Sequence, residues 1–153
     1  MASREWIEKF AQELGVNIHI WGRHGRRYKD QIENELGVKL CDQMSEFVES
    51  VGNISLFGVE ILVTGVDDKY NCIVSTIDAR EDAAWLPRTV IRIVKQEENM
   101  FYESDSGNIV GFDAVPFEPY RAEEFVRYED LKSYIRYLIE TDAEPNPFEK
   151  YLQ

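Results

Sequence analysis

Two adjoining stretches, Met44-Ser45-Glu46-Phe47-Val48-Glu49-Ser50-Val51-Gly52-Asn53 and Ile54-Ser55-Leu56-Phe57-Gly58-Val59-Glu60-Ile61-Leu62-Val63-Thr64, carry different hydrophobic periods. In the first, Met44, Phe47, Val48 and Val51 recur at spacings of three and four, which places them on one face of a helix. In the second, the β-branched run from Phe57 to Thr64 has the composition of a strand. Gly52-Asn53 lies at the change and reads as the helix stop. The chain therefore passes from helical to extended structure near residue 53.

Upstream of that point the period is helical. Ile7, Phe10, Ala11 and Leu14 predict a helix over residues 4–14, with Ser3 as its cap and Gly15 as its end. Asn17 to Trp21 alternates like a short strand, and Gly22-Arg23-His24-Gly25 reads as a turn. A second helix is expected from Tyr28 to Leu36, closed by Gly37, and Asp42 is expected to cap the third.

Downstream, Asn71 to Ile77 is again rich in β-branched residues and reads as a strand, with Gly65 and Asp67-Asp68 in the connection before it. Asp78 to Trp85 reads as a helical turn or structured loop closed by Pro87, and Thr89 to Gln96 as a strand. Ser106-Gly107 separates Asn99–Asp105 from Asn108–Val115 as a hairpin turn would. With those two residues at its centre, Phe101 would face Phe112 and Tyr102 would face Gly111. Leu131, Tyr134, Ile135 and Leu138 return to helical spacing over residues 129–141, and 142–153 is expected to be a docked tail. Helices, then strands, then a helix predict an α+β domain over 1–153: a single antiparallel sheet of five or six strands within 54–115, packed against helices from both ends.

Of the 153 residues, 29 are acidic and 17 are Lys or Arg, a net charge of −12. The imbalance lies in one part of the chain: residues 1–40 hold seven basic and six acidic residues, and 41–153 hold ten and 23. Such a surface repels nucleic acid and anionic membranes and favours a basic protein partner. No apolar run approaches the ~20 residues of a membrane span. Five charges within the first fifteen residues argue against an export signal. Cys41 and Cys72 have no C-x-x-C pattern and read as thiols of a reducing compartment, so a cytoplasmic protein is expected.

Convergent chemistry is scarce. His19, in an apolar run, is expected to be a packed ring, and His24, in a turn, to be exposed. Neither has metal-ligand spacing to the other or to a cysteine. Cys41 at a helix start is expected to be a buried, inert thiol. The nine glycines form no phosphate-cradling motif. No catalytic residue, cofactor or metal is therefore expected. The acids do recur in connections, where scaffolds display binding groups. Asp67, Asp68, Glu81, Asp82, Glu97 and Glu98, with Glu103 and Asp105 on the hairpin and Trp85 as an apolar anchor, form the expected partner-binding set.

Along the chain stand Ile32 to Leu40 with the helix closing on Val51-Gly52-Asn53, then Trp85-Leu86-Pro87 leading into Val90 to Ile93, then Tyr102 to Val110, and Phe125 to Ile139. In that order these strings resemble the SUKH superfamily, which includes the Smi/Knr cell-wall regulators and many bacterial immunity proteins. The resemblance covers residues 28–140. One position departs from it: Cys41 stands where the family commonly has proline after the leucine. The resemblance implies a non-enzymatic scaffold that occludes a cognate toxin domain, possibly a nuclease with a basic surface. An intracellular regulatory or scaffold protein binding a host partner is the alternative.

Overall fold

Helix α1 (Arg4–Leu14) starts where Ser3 Oγ accepts from the Trp6 N–H at 3.2 Å and stops on Gly15, whose φ of +68° ends the helix without strain. The computed structural model describes residues 3–56, 58–96, 99–112 and 125–143. Helix α2 (Arg26–Leu36) buries Tyr28, Ile32 and Leu36, and α3 (Asp42–Ser50) buries Met44, Phe47 and Val48. The cap of α3 is Cys41 rather than Asp42. Its backbone is extended, its N–H is held by the Tyr102 hydroxyl at 3.0 Å, and its Sγ accepts from the Met44 N–H at 3.5 Å. Asp42 is already helical and places a carboxylate in the first turn.

The strands form two antiparallel sheets where one was expected. β1 (His19–Ile20), β2 (Asn53–Leu56) and β3 (Val59–Leu62) pair in that order. β4 (Val90–Val94), β5 (Asn99–Glu103), β6 (Ile109–Phe112) and β7 (Val126–Tyr128) make the second sheet, also in chain order. The Gln96 side chain joins the two: its Oε1 accepts from the Glu60 N–H at 3.1 Å and its Nε2 donates to the Gly58 carbonyl at 2.9 Å. The α+β class and the antiparallel pairing stand as expected. The ladder breaks between β3 and β4, where a side chain replaces the strand-to-strand hydrogen bonds.

Along the chain between β3 and β4, Cys72–Asp82 is an eleven-residue helix, α4, and not the strand that its β-branched residues suggested. Asn71 Oδ1 accepts from the Val74 N–H at 3.0 Å and starts it, and Cys72, Ile73, Thr76 and Ala79 are buried along its length. Capping and burial here outweigh the intrinsic preference of Ile, Val and Thr. The final helix, α5 (Leu131–Ala143), buries Leu131, Tyr134, Ile135 and Ile139.

The β5–β6 hairpin differs from expectation in register. Phe101 faces Val110 and Tyr102 faces Ile109, because the turn runs through Ser104 to Gly107, with the Glu103 N–H bonded to the Asn108 carbonyl. Ile91, Tyr102 and Ile109 lie opposite one another and enter the main core, with residues of all five helices. The adjacent row, Arg92, Phe101 and Val110, faces the other side of the sheet. There Phe101 and Val110 join Ala79, Ala83, Leu86 and Val90 in a second, smaller cluster. Residues 113–115 and 144–153, expected as strand end and tail, lie outside the described residues.

Candidate partner-binding surface

The connection from β3 to α4 is held from below by one buried amide. Asn53 Oδ1 accepts from the Val63 N–H at 3.0 Å and the Gly65 N–H at 2.9 Å. Its Nδ2 donates to the Trp21 carbonyl at 2.8 Å, Thr64 Oγ1 at 3.1 Å and the Gly65 carbonyl at 3.3 Å. Arg23 reaches in from the opposite loop, with Nη2 on the carbonyls of Thr64 and Asp67 and Nη1 on Asp68 Oδ1 at 2.9 Å. Asp67 turns back on the chain, its Oδ1 accepting from the N–H groups of Lys69 and Tyr70 at 2.9 and 3.1 Å. At Gly65 the backbone has φ +69°, and a Cβ there would collide with the Tyr70 carbonyl.

These restraints fix what the loop shows to solvent. Val66 is 55% exposed and Tyr70 is 69% exposed, beside the exposed acids Asp67 and Asp68. Apolar groups that folding leaves outside, on a backbone already ordered, lose little further entropy when a partner covers them. A tyrosine on such a loop has the chemistry of an interface anchor.

The expected acidic residues fall into separate groups. Asp67 and Asp68 precede α4, whereas Glu81 and Asp82 are exposed in its last turn, not in a connection between strands. The length of α4, about 16 Å for eleven residues, lies between the two pairs. Trp85 is half-buried and packs against the smaller cluster. Glu103 is buried, and its carboxylate accepts from the Asp105 N–H at 3.2 Å and from the Ser106 N–H and hydroxyl at 2.7 and 2.6 Å. Asp105 is exposed beside it, while Glu97 and Glu98 lie outside the described residues. Sequence reasoning passed over Arg23, Asn53, Val66 and Tyr70. A signal was present in Gly22, Gly52 and Gly65: a Cβ at the first two would strike Asn53 Nδ2 and Thr64 Oγ1, and one at the third the Tyr70 carbonyl.

Reactive groups are kept apart. His19, expected to be packed, is exposed on β1, because its strand pairs on one side only and turns that residue outward. His24 is exposed, with Nδ1 3.1 Å from the Glu49 carbonyl. Cys41 is half-buried, and burial pushes the Cys72 thiol up to about 12. Among the described residues, no three His, Cys, Asp or Glu side chains gather as metal ligands, and no helix is long and apolar enough to cross a membrane. Arg92 is buried and lines the same cavity as Trp85; burial pulls its guanidinium below the ordinary value, and Asp78 and Asp82 counter part of that shift.

A family model described as SMI1-KNR4 cell-wall, SUKH_5, matches residues 5–139. This chain belongs to the SUKH family. The match begins within α1 and ends within α5, so the N-terminal helix is part of the SUKH fold and not an addition to it. The family is known for immunity and regulatory proteins and is generally non-enzymatic. A search of curated proteins gave no match. In this SUKH domain, the knot around Asn53 joins the turn before α2 to the connection before α4, two segments that belong to the matched region.

Proposed function

We propose that this SUKH protein is a non-enzymatic immunity protein. It binds a cognate toxin domain with a basic surface and neutralises it by occlusion, with the Val66–Tyr70 loop at the centre of the contact. The observation that supports this reading most directly is the pairing of exposed Val66 and Tyr70 with Asp67 and Asp68 on a loop fixed by Asn53 and Arg23. An acidic surface steers a basic partner into encounter, and a buried aromatic then holds it. A toxin acting on nucleic acid must itself present basic groups to phosphate, which supplies the complementary charge.

The experiment takes whatever toxin domain is encoded beside this gene, in an inactive form, and titrates it against the purified protein by calorimetry; a neighbourhood that encodes none counts against the reading. A stoichiometric complex that weakens at least tenfold in Tyr70→Ala supports the reading. Absence of binding at micromolar concentrations, or full affinity in Tyr70→Ala, overturns it.

A further inference from the structure

On the side of the second sheet turned away from the main core lies a cavity of about 140 Å³. Arg92, Asn99 and Phe101 line it from the sheet, and Asp82, Trp85 and Leu86 from α4 and the segment that follows. Arg92 is only 7% exposed. Its Nε donates to Ser75 Oγ at 2.7 Å, and among the described residues neither of its Nη nitrogens has a hydrogen-bond or ion-pair partner. Those Nη donors are not among the polar atoms that folding seals off without a partner, so they open onto the cavity, where an acceptor on a ligand can take the place of water.

The rest of the lining narrows what can arrive. Asp82 is a carboxylate on the same cavity, and Asp78 lies one turn earlier on α4. Both act on Arg92 electrostatically without forming an ion pair with it. A plain anion would meet these two acids in a chain of net charge −12. A plain amine would make no use of the Arg92 donors, which would stay with water. A ligand carrying both charges on a short skeleton satisfies both walls, and Trp85, Leu86 and Phe101 offer apolar surface to its remainder. A cavity of roughly 150 Å³ accommodates benzene, so a molecule with four or five apolar carbons suits this one.

We propose that this cavity binds a free α-amino acid with an aliphatic side chain, its carboxylate on Arg92, its ammonium on Asp82 and its side chain against Trp85, Leu86 and Phe101. The site is separate from the Val66–Tyr70 loop and does not depend on the immunity reading.

The test is a titration of the full chain with leucine, followed by heteronuclear NMR at the Arg92 Nε–H, the Asn99 side-chain amide and the Trp85 indole. Saturable shifts at all three are expected. 3-Methylbutylamine, which lacks the carboxylate, and 4-methylpentanoate, which lacks the ammonium, should each bind roughly tenfold more weakly or worse, the scale of a lost charge-assisted hydrogen bond. Arg92→Gln should abolish the shifts, and Asp82→Asn, at an exposed position, should weaken binding a few-fold. Ala83→Leu, which fills the cavity and leaves Arg92 in place, should also abolish them, so the proposal stays testable if Arg92→Gln does not fold. Unmoved resonances at about 10 mM leucine, well above a millimolar dissociation constant, overturn the proposal. So does 4-methylpentanoate binding as tightly as leucine, or undiminished binding in folded Ala83→Leu.

Discussion

Asn53 holds Gly65 by both of its backbone polar groups, accepting from the N–H at 2.9 Å and donating to the carbonyl at 3.3 Å. A side-chain amide thus does for residue 65 what a neighbouring strand would do, and the β3–α4 loop leaves the sheet along a fixed path. In Asn53→Ala the buried Val63 and Gly65 N–H groups lose their acceptor, each at about 1–3 kcal/mol. A loss of about 3 kcal/mol is expected in urea denaturation, and a loss below 1 kcal/mol would show that the amide is dispensable.

Cys41 caps α3 through sulfur, a weak acceptor at 3.5 Å. Serine at this position offers an oxygen on the same extended backbone, and serine ranks among the preferred caps. Cys41→Ser is expected to raise stability by about 0.5–1 kcal/mol, read as an upward shift of the urea midpoint with an unchanged slope. A lower midpoint would mean that the packing of Sγ matters more than the cap.

Glu103 makes stability depend on pH. Burial by itself would raise its pKa, but the Ser106 hydroxyl and N–H, the Thr89 hydroxyl and the Asp105 N–H outweigh that and hold the carboxyl below its ordinary 4.5. A carboxyl with a depressed folded-state pKa stabilises the protein above its unfolded value, and the contribution disappears as pH falls through the folded one. Glu103→Gln should therefore cost about 1–2 kcal/mol at pH 7 and progressively less below pH 4.5. Thermal melts of both proteins at pH 7, 5 and 3 check this, and a gap that stays constant across the three would refute it.

The two acid pairs at the ends of α4 should behave differently in binding. With the inactive toxin domain, Asp67→Asn with Asp68→Asn should slow association several-fold at low salt and flatten its salt dependence, since surface charge acts mainly on the on-rate. Asparagine at 67 keeps an acceptor for Lys69 and Tyr70, so the loop persists. Glu81→Gln with Asp82→Asn, at the far end of the helix, should change the rate by less than about twofold. Stopped-flow traces in which the second pair has the larger effect would move the contact to the other end of α4.

The sequence was most legible where a cap and a helical period agreed. Ser3, Gly15 and Gly37 bound α1 and α2 within two residues of expectation, because a left-handed glycine and a hydroxyl cap are local devices. α4 was hidden because Ile73, Val74, Thr76 and Ile77 favour strands in isolation, and Ile77, 41% exposed, breaks the apolar stripe. The cap at Asn71 and the alanines at 79 and 83 were the available counter-signal. β2 was missed because Asn53 has a buried role that only the tertiary contact reveals. The hairpin register depended on Glu103 closing a four-residue turn with its side chain, which composition does not disclose. The acids of the candidate surface were readable as acids; which of them share a neighbourhood was fixed by α4, the one helix the sequence disguised.

Gln96 has a further consequence. It occupies the Glu60 N–H of β3 and the Gly58 carbonyl just before that strand, and Thr76 Oγ1 occupies the Arg92 N–H on β4, so neither of these margins is a free ladder. Among the described residues, the remaining margins are β1, two residues long, and β7, three residues long. Neither offers a ladder on which an extended peptide or a second copy could lengthen the sheet. Any protein that recognises this molecule through the described surface must do so by side chains and loops, so its specificity can change residue by residue without reworking a strand.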